Sequence, residues 1–216
     1  MDRRLAWILT GGYEGHQPGR VAEILADALQ AHDFDVRVVT TLDALSHPAD
    51  LRPVDLMVPN WTMGTIPPDA LEAWLTAVRE AGTGVAGIHG GMADAFRSEP
   101  DYHEMVGGQW VAHPGGDGVT YDVHIARQHP LAAGLQDFTV TSEQYYLHVD
   151  PGLDVLATTS FGPVVMPVAW TKAYGRGRVF YCAVGHRPEL LERDDIRALL
   201  LRGFTWAART PDERTP

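Results

Sequence analysis

At 216 residues the chain is within reach of one domain, and 45% hydrophobic residues with six Trp, seven Tyr and six Phe suffice for a sizeable core. A formal net charge of −11 with no basic run argues against a nucleic-acid partner and against a basic membrane-surface patch. The one cysteine, Cys182, excludes an internal disulfide and any cysteine-based zinc motif.

Met1-Asp2-Arg3-Arg4 is followed by only five apolar residues, 5–9, before Thr10-Gly11-Gly12. That run is too short for a signal peptide or for a membrane span of ~20 residues, so a cytoplasmic location with no membrane partner is expected. Residues 5–10 have the pattern of a buried strand running into a glycine loop. Val21, Ile24, Leu25, Ala28 and Leu29 then recur at helical spacing. Residues 35–40 predict a second strand and residues 55–59 a third. Pro67-Pro68 opens a helix with Leu71, Trp74, Leu75 and Val78 on one face, stopped at Gly82. Residues 84–88 predict a fourth strand. Strands alternating with helices imply right-handed crossovers and a mostly parallel sheet covered on both faces. The second half is richer in strands, at 121–125, 138–141, 155–159, 168–174 and 178–184, with Gly175-Arg176-Gly177 as a hairpin turn. Residues 190–206 close the chain as a helix, with Ile196, Leu199, Leu200 and Phe204 inward. No repeat, low-complexity segment or linker interrupts the chain. Residues 1–209 are therefore expected to form one domain and the polar residues 210–216 a frayed tail.

The sharpest local feature is Gly87-Ile88-His89-Gly90-Gly91, at the end of the fourth strand. Glycines flanking a polar residue at a strand-to-helix turn are the pattern of a nucleophile elbow, which forces the central side chain out over the carboxyl end of the sheet. Ligands of open α/β sheets bind there. Gly185-His186-Arg187-Pro188-Glu189 follows the strand at 178–184 and brings a second histidine to the same edge. Residues 143–148 (Glu-Gln-Tyr-Tyr-Leu-His) and 109–114 (Gln-Trp-Val-Ala-His-Pro) interleave polar and aromatic residues in non-helical segments. One histidine alone is more often structural than functional, but several falling together at strand ends are harder to dismiss. Gly11-Gly12-Tyr13-Glu14-Gly15-His16 follows the first strand, where a phosphate could bind. It lacks the dinucleotide glycine spacing and the P-loop lysine, so no nucleotide cofactor is expected. His16 and Asn60 follow strands ending on the same edge and are expected to line the pocket. His32, His47, His124 and His129 are assigned no role.

Taken in order, Gly-Ile-His-Gly-Gly at 87–91, Val-Gly-Gly at 106–108, His113-Pro114, His129-Pro130-Leu131 to Gly134-Leu135, residues 143–148, and Pro167-Val168-Ala169-Trp170-Thr171 to Gly185-His186-Arg187 resemble the ThuA-like (trehalose utilisation) family. The resemblance runs from about Trp7 to Phe204. It implies an α/β fold similar to class I glutamine amidotransferases, a flavodoxin-like three-layer sandwich. Those enzymes carry a cysteine at the elbow, and a histidine followed by Pro-Glu after a late strand. Here the elbow residue is His89, and the late histidine is His186, followed by Arg187-Pro188-Glu189. Imidazole cannot replace a thiolate that attacks an amide and holds a thioester, so glutaminase activity is not expected. Cys182 lies within an apolar strand and reads as an inert core residue, which ranks its recruitment as a nucleophile last.

His89, His186 and Glu143 are the candidate catalytic residues. Neutral imidazoles converging with a carboxylate suit a divalent metal such as zinc, with His89, His113, His148 and His186 as candidate ligands. The same set could work without metal as a general acid/base pair. His16, Asn60, Trp61, Trp110, Tyr145 and Tyr146 are the candidate substrate-binding residues, since flat rings cover the apolar faces of pyranoses. The competing reading of the rings is core aromatics. The resemblance implies a protein of carbohydrate utilisation acting on trehalose-like disaccharides or their keto derivatives. The alternative is a non-catalytic sugar- or partner-binding module that has lost its nucleophile. The expected partner is a small-molecule carbohydrate, and a homo-oligomer stays open.

Overall fold

In the computed structural model, which describes residues 3–214, the apolar runs of the first half become neighbouring parallel strands. These are β1 (Arg4–Gly12), β2 (Phe34–Val39), β3 (Leu56–Thr62) and β4 (Gly84–Ile88). Between them lie α1 (Pro18–Gln30), the short α2 (Pro48–Leu51) and α3 (Pro68–Ala81). Proline begins each of these helices, where its missing N–H costs nothing, and Gly82 ends α3 in the left-handed conformation. Every residue of β4 is buried, as expected of a strand covered on both faces.

The rest of the chain adds α4 (His89–Ala93), α5 (Pro100–Val106), β5 (Gly108–Ala112), β6 (Val119–Ile125), β7 (Phe138–Ser142), β8 (Tyr146–Val149), β9 (Asp154–Phe161), β10 (Val164–Tyr174), β11 (Gly177–Cys182) and α6 (Asp194–Ala207). Among the described residues nine strands form one sheet in the order β2-β1-β3-β4-β11-β10-β9-β6-β7, and β5 pairs with β8 in a second, two-stranded sheet. Only the five strands β2, β1, β3, β4 and β11 are parallel; β10, β9, β6 and β7 extend them antiparallel. The sheet is therefore mixed, and the expectation of a mostly parallel one is corrected. The reason is connection length: β9, β10 and β11 follow one another through tight turns, and such short links can only reverse the chain.

Alternation along β11 separates the layers. Gly177 lies against Val78 of α3, whereas Phe180 packs on Phe204 of α6. Odd and even positions of a strand face opposite ways, so α3 and α6 cover opposite faces. Trp74 of α3 meets Tyr102 of α5 at 5.6 Å between ring centroids, and α1 and α6 line one apolar crevice through Leu25, Leu29 and Leu200.

The frayed tail is also corrected, as far as residue 214. Residues 211–214 form a turn in which Arg214 donates to Asp55 at 2.9 Å and Arg178 to Glu213 at 2.8 Å. The last two tail positions lie outside the described residues. No described helix is long and apolar enough to cross a membrane.

Candidate functional site

The parallel strands run in the order 2-1-3-4-11, with a reversal of connection between β1 and β3, and that arrangement gathers ligands at the carboxyl edge. The chain places a polar side chain at that edge after or within four of the strands: His16 after β1, Thr62 at the end of β3, His89 after β4 and His186 after β11.

His89 makes the turn with φ +44°, the left-handed region that costs a non-glycine residue about 1 kcal/mol. Its neighbours leave no room for side chains. A Cβ at Gly90 would stand 2.7 Å from His16 Cε1, and one at Gly91 would stand 2.9 Å from the Asn60 Cα. The turn is pinned twice: the Tyr181 hydroxyl donates to the His89 carbonyl at 3.2 Å, and His89 Nδ1–H donates to the Ala183 carbonyl at 2.9 Å. A carbonyl only accepts, so the proton of the neutral ring sits on Nδ1. Nε2 then points into the site, 2.9 Å from the Tyr145 hydroxyl and 3.1 Å from Glu143 Oε2.

Glu143 arrives from the link between β7 and β8 and is buried. Its Oε2 faces three ring nitrogens: His89 Nε2, His186 Nδ1 at 3.4 Å and His113 Nδ1 at 3.6 Å. No backbone amide, hydroxyl, lysine or arginine among the described residues donates to this carboxylate. Burial by itself would raise the Glu143 carboxyl, but contact with His186 and His89 outweighs it and holds the group well below the usual carboxylate range. Burial pushes the His89 imidazole down, more than Glu143 and the Ala183 carbonyl lift it. Burial, reinforced by His89 and His186, pushes His16 down to about 4. The rings of His16, His89 and His186 form a triangle with centroid separations of 5.0, 5.1 and 5.4 Å. His16 Nδ1 is fixed by the Thr62 hydroxyl at 2.8 Å. One ligand atom from each of His16, His89, Glu143 and His186 lies within 4.8 Å of all the others, which suits a metal centre as well as proton transfer.

His89, Glu143 and His186 thus meet as the sequence predicts. His113 comes close, but its Nδ1 lone pair accepts the Trp110 indole N–H at 3.2 Å and is not free to ligate. His148 does not join. On β8 Leu147 is the buried residue, so alternation turns His148 to solvent. Tyr145 stacks on His89 at 4.1 Å and belongs to the site, whereas Tyr146 packs on Phe161 at 5.3 Å. Asn60 is structural: its amide donates to Thr10 Oγ1 and the Pro18 carbonyl, tying β3 to the start of α1. Trp61 leans over Gly11, on the face of β3 opposite Thr62. Trp110 is half-buried between His113 and the Arg97 guanidinium, 4.6 Å from its ring. The His89 ring is buried, 2% exposed, while the side chains of His186 (16%) and His113 (36%) are partly exposed. A cavity of about 680 Å³ opens elsewhere, lined by Arg52, Glu80, Arg176 and Arg209, and touches none of these residues.

Sequence reasoning missed Thr62, Tyr181 and Asp117. Asp117 bonds Arg187 and lies 4.0 Å from His186 Nε2. No motif marks them. His16 was expected to line the pocket and proves a full member of the cluster. Cys182 is fully buried in β11, where burial pushes its thiol up to about 12.

A family model described as ThuA, trehalose utilisation, matches residues 5–207. No curated protein matches the sequence significantly. Among solved structures, a ThuA-like protein from Parabacteroides merdae superposes with a TM-score of 0.79 at 21% identity, covering 95% of this chain and 90% of that one. A ThuA-like protein from Bacteroides uniformis follows at 0.75 and 18% identity, over 94% of this chain and 90% of that one. A protein from Salmonella typhimurium described as cytoplasmic gives 0.69 at 15% identity, over 95% of this chain and all of that one.

Proposed function

The chain belongs to the ThuA family, described as trehalose utilisation, and from that premise we propose that it is an enzyme acting on a trehalose-like disaccharide or its keto derivative at the His16–His89–Glu143–His186 cluster. The observation that carries the reading is the convergence of four chemically competent side chains from four separate elements at the carboxyl edge of the parallel strands. A binding surface alone has no need of a buried carboxylate facing three imidazoles.

Each residue has a distinct part. His186 is the partly exposed imidazole that a substrate oxygen meets. Asp117, itself held by Arg187, lies 4.0 Å from its far nitrogen, Nε2, the one left for the substrate. Glu143 keeps a fixed negative charge beside His186 and stabilises the positive charge developing at the reacting centre. His89, locked in one tautomer by Ala183, turns its Nε2 lone pair toward Glu143 and the Tyr145 hydroxyl, which can donate to it. Trp110 offers a flat, half-buried ring beside His113 for the apolar face of a sugar. Cys182 takes no part, because a thiol so far from ionising cannot act as a thiolate. A cytoplasmic location and a single domain over residues 1–209 complete the reading.

The test is turnover of trehalose and its keto-oxidised derivatives by the purified protein, followed by carbohydrate chromatography. His186→Asn should lower kcat roughly 100-fold or more, the usual size of a lost proton-transfer group, with little change in melting temperature. Undiminished turnover in that variant overturns the assignment. Tight binding of the sugar by wild-type protein without turnover would favour the binding module instead.

A further inference from the structure

We propose that His16, His89, Glu143 and His186 form a binding site for one divalent cation of borderline, zinc-like character. The inference rests on the site identified above and not on its substrate. It starts from lone pairs. His89 Nδ1 carries the ring proton, because its partner is the Ala183 carbonyl, so an electron pair on Nε2 is aimed at Glu143 Oε2 across 3.1 Å. His113 Nδ1, 3.6 Å from the same oxygen, is also a lone pair, because it accepts from Trp110. His186 Nδ1 lies 3.4 Å from Oε2, is buried, and makes no hydrogen bond. A buried carboxylate thus faces nitrogens of which at least two are acceptors, and no other donor reaches it. Buried polar groups rarely stay unpaired, and a positive centre among them resolves the conflict.

A proton on His89 is the alternative, and burial at 2% exposure works against an imidazolium there. The Tyr145 hydroxyl, 2.9 Å from Nε2, can donate to that one nitrogen but leaves His186 Nδ1 unpaired.

The spacings agree with coordination. Two ligands at tetrahedral angles on a zinc ion, with bonds of ~2.0–2.1 Å, stand roughly 3.3 Å apart. The His89–Glu143 and His186–Glu143 separations of 3.1 and 3.4 Å match that figure, and His16 completes the set at the looser spacing of 4.8 Å within which all four ligand atoms lie. The supporting shell is that of a metal site too: His89 Nδ1–H on a backbone carbonyl and His16 Nδ1 on the Thr62 hydroxyl each orient a ring for its other nitrogen. Three neutral nitrogens and one carboxylate oxygen suit zinc and its neighbours in the first transition row better than calcium or magnesium, which require oxygen. His113 and His148 stand outside the set.

The experiment uses the full chain stripped with a chelator and titrated with Co²⁺, read by the visible absorption of the bound ion, followed by displacement with Zn²⁺. One Co²⁺ per chain with a dissociation constant in the micromolar range or below is expected. His16→Ala and Glu143→Gln should each weaken it at least tenfold, while His113→Ala and His148→Ala leave it within about twofold. Circular dichroism identifies any variant that fails to fold; His16→Ala, at a half-buried position away from the sheet core, serves if Glu143→Gln does. Absence of stoichiometric binding, or loss of binding in His113→Ala or His148→Ala, overturns the ligand set. Sugar turnover with no stoichiometric Co²⁺ binding sinks the cation and spares the enzyme reading. Stoichiometric binding with no sugar turnover sinks the enzyme reading and spares the cation.

Discussion

His16 carries the clearest pH signature in the site. Its ring is pushed down to about 4 by burial and by the rings of His89 and His186, against 6.5 for a free histidine. The unfolded chain therefore binds more protons than the folded one between about 4 and 6.5, so stability rises with pH across that window. His89 is shifted in the same direction. Glu143, held below its ordinary value of 4.5, keeps its contribution above that pH and loses it as the pH falls further. For chelator-treated protein, the urea midpoint should drop between pH 6.5 and 4.5, and His16→Asn should flatten that slope. A flat wild-type midpoint over the window would show that His16 is solvated. His16 was legible in the sequence as a residue after the first strand, because strand ends on one edge face a common space. Its role as an imidazole packed against His89 was not, since that depends on Gly90 leaving the gap. His148 fails for the converse reason: a histidine beside an aromatic pair reads as functional until the strand phase is known.

At the scale of elements, the elbow makes two neighbouring glycines behave differently. A Cβ at Gly90 would stand 2.7 Å from His16 Cε1 and 3.0 Å from the Tyr145 hydroxyl, both far ends of side chains that can swing away. A Cβ at Gly91 would meet the Asn60 backbone at 2.9 Å, and a strand within the sheet cannot yield as a ring does. Gly90→Ala should therefore displace His16, cutting Co²⁺ affinity tenfold or more with a small change in stability. Gly91→Ala should destabilise the fold by about 1–3 kcal/mol, the usual overpacking cost. Equal losses in urea stability for the two variants would contradict this division. The strands that build this edge were legible from their apolar runs, and Gly84–Ile88 coincides with its predicted bounds. The third strand runs on past residue 59 to Thr62, where polar residues break the apolar pattern although the backbone ladder to β1 continues. β5 and β8 were legible only as non-helical segments. They have five and four residues, and each finds its partner 30 or more positions away in the other, which no local pattern encodes. The direction of β10 and β9 was hidden in their turns, although the Gly175-Arg176-Gly177 hairpin stood out.

Across the whole molecule, the two ends of the parallel strands do opposite work. The carboxyl edge holds the cluster of His16, His89, Glu143 and His186. The amino edge is closed by Asp55, fully buried before β3, which accepts from the Leu5 amide at 2.8 Å, from Arg209 Nε at 3.3 Å and from Arg214 Nε at 2.9 Å. Arg209 is itself 4% exposed and donates to the carbonyls of Arg52, Val54 and Ala81, so the pin joins the first strand, the third strand, α3 and the chain end. Removing the carboxylate leaves a buried guanidinium without its counter-charge, which typically costs about 3–5 kcal/mol. Asp55→Ala should show a loss of that size in urea unfolding. Deleting residues 210–216 removes Arg214 and Glu213 but leaves Asp55 paired with Arg209, so the loss should be smaller, about 1–3 kcal/mol for hydrogen bonds to charged groups. Because the pin and the cluster sit at opposite edges of the sheet, the truncated chain should bind Co²⁺ as tightly as the full one at temperatures where both are folded. A truncation with no effect on stability would mean that the tail does not dock in solution. Weakened Co²⁺ binding in a stably folded truncation would mean that the two edges are coupled through the strands and that the amino edge helps set the geometry of the site.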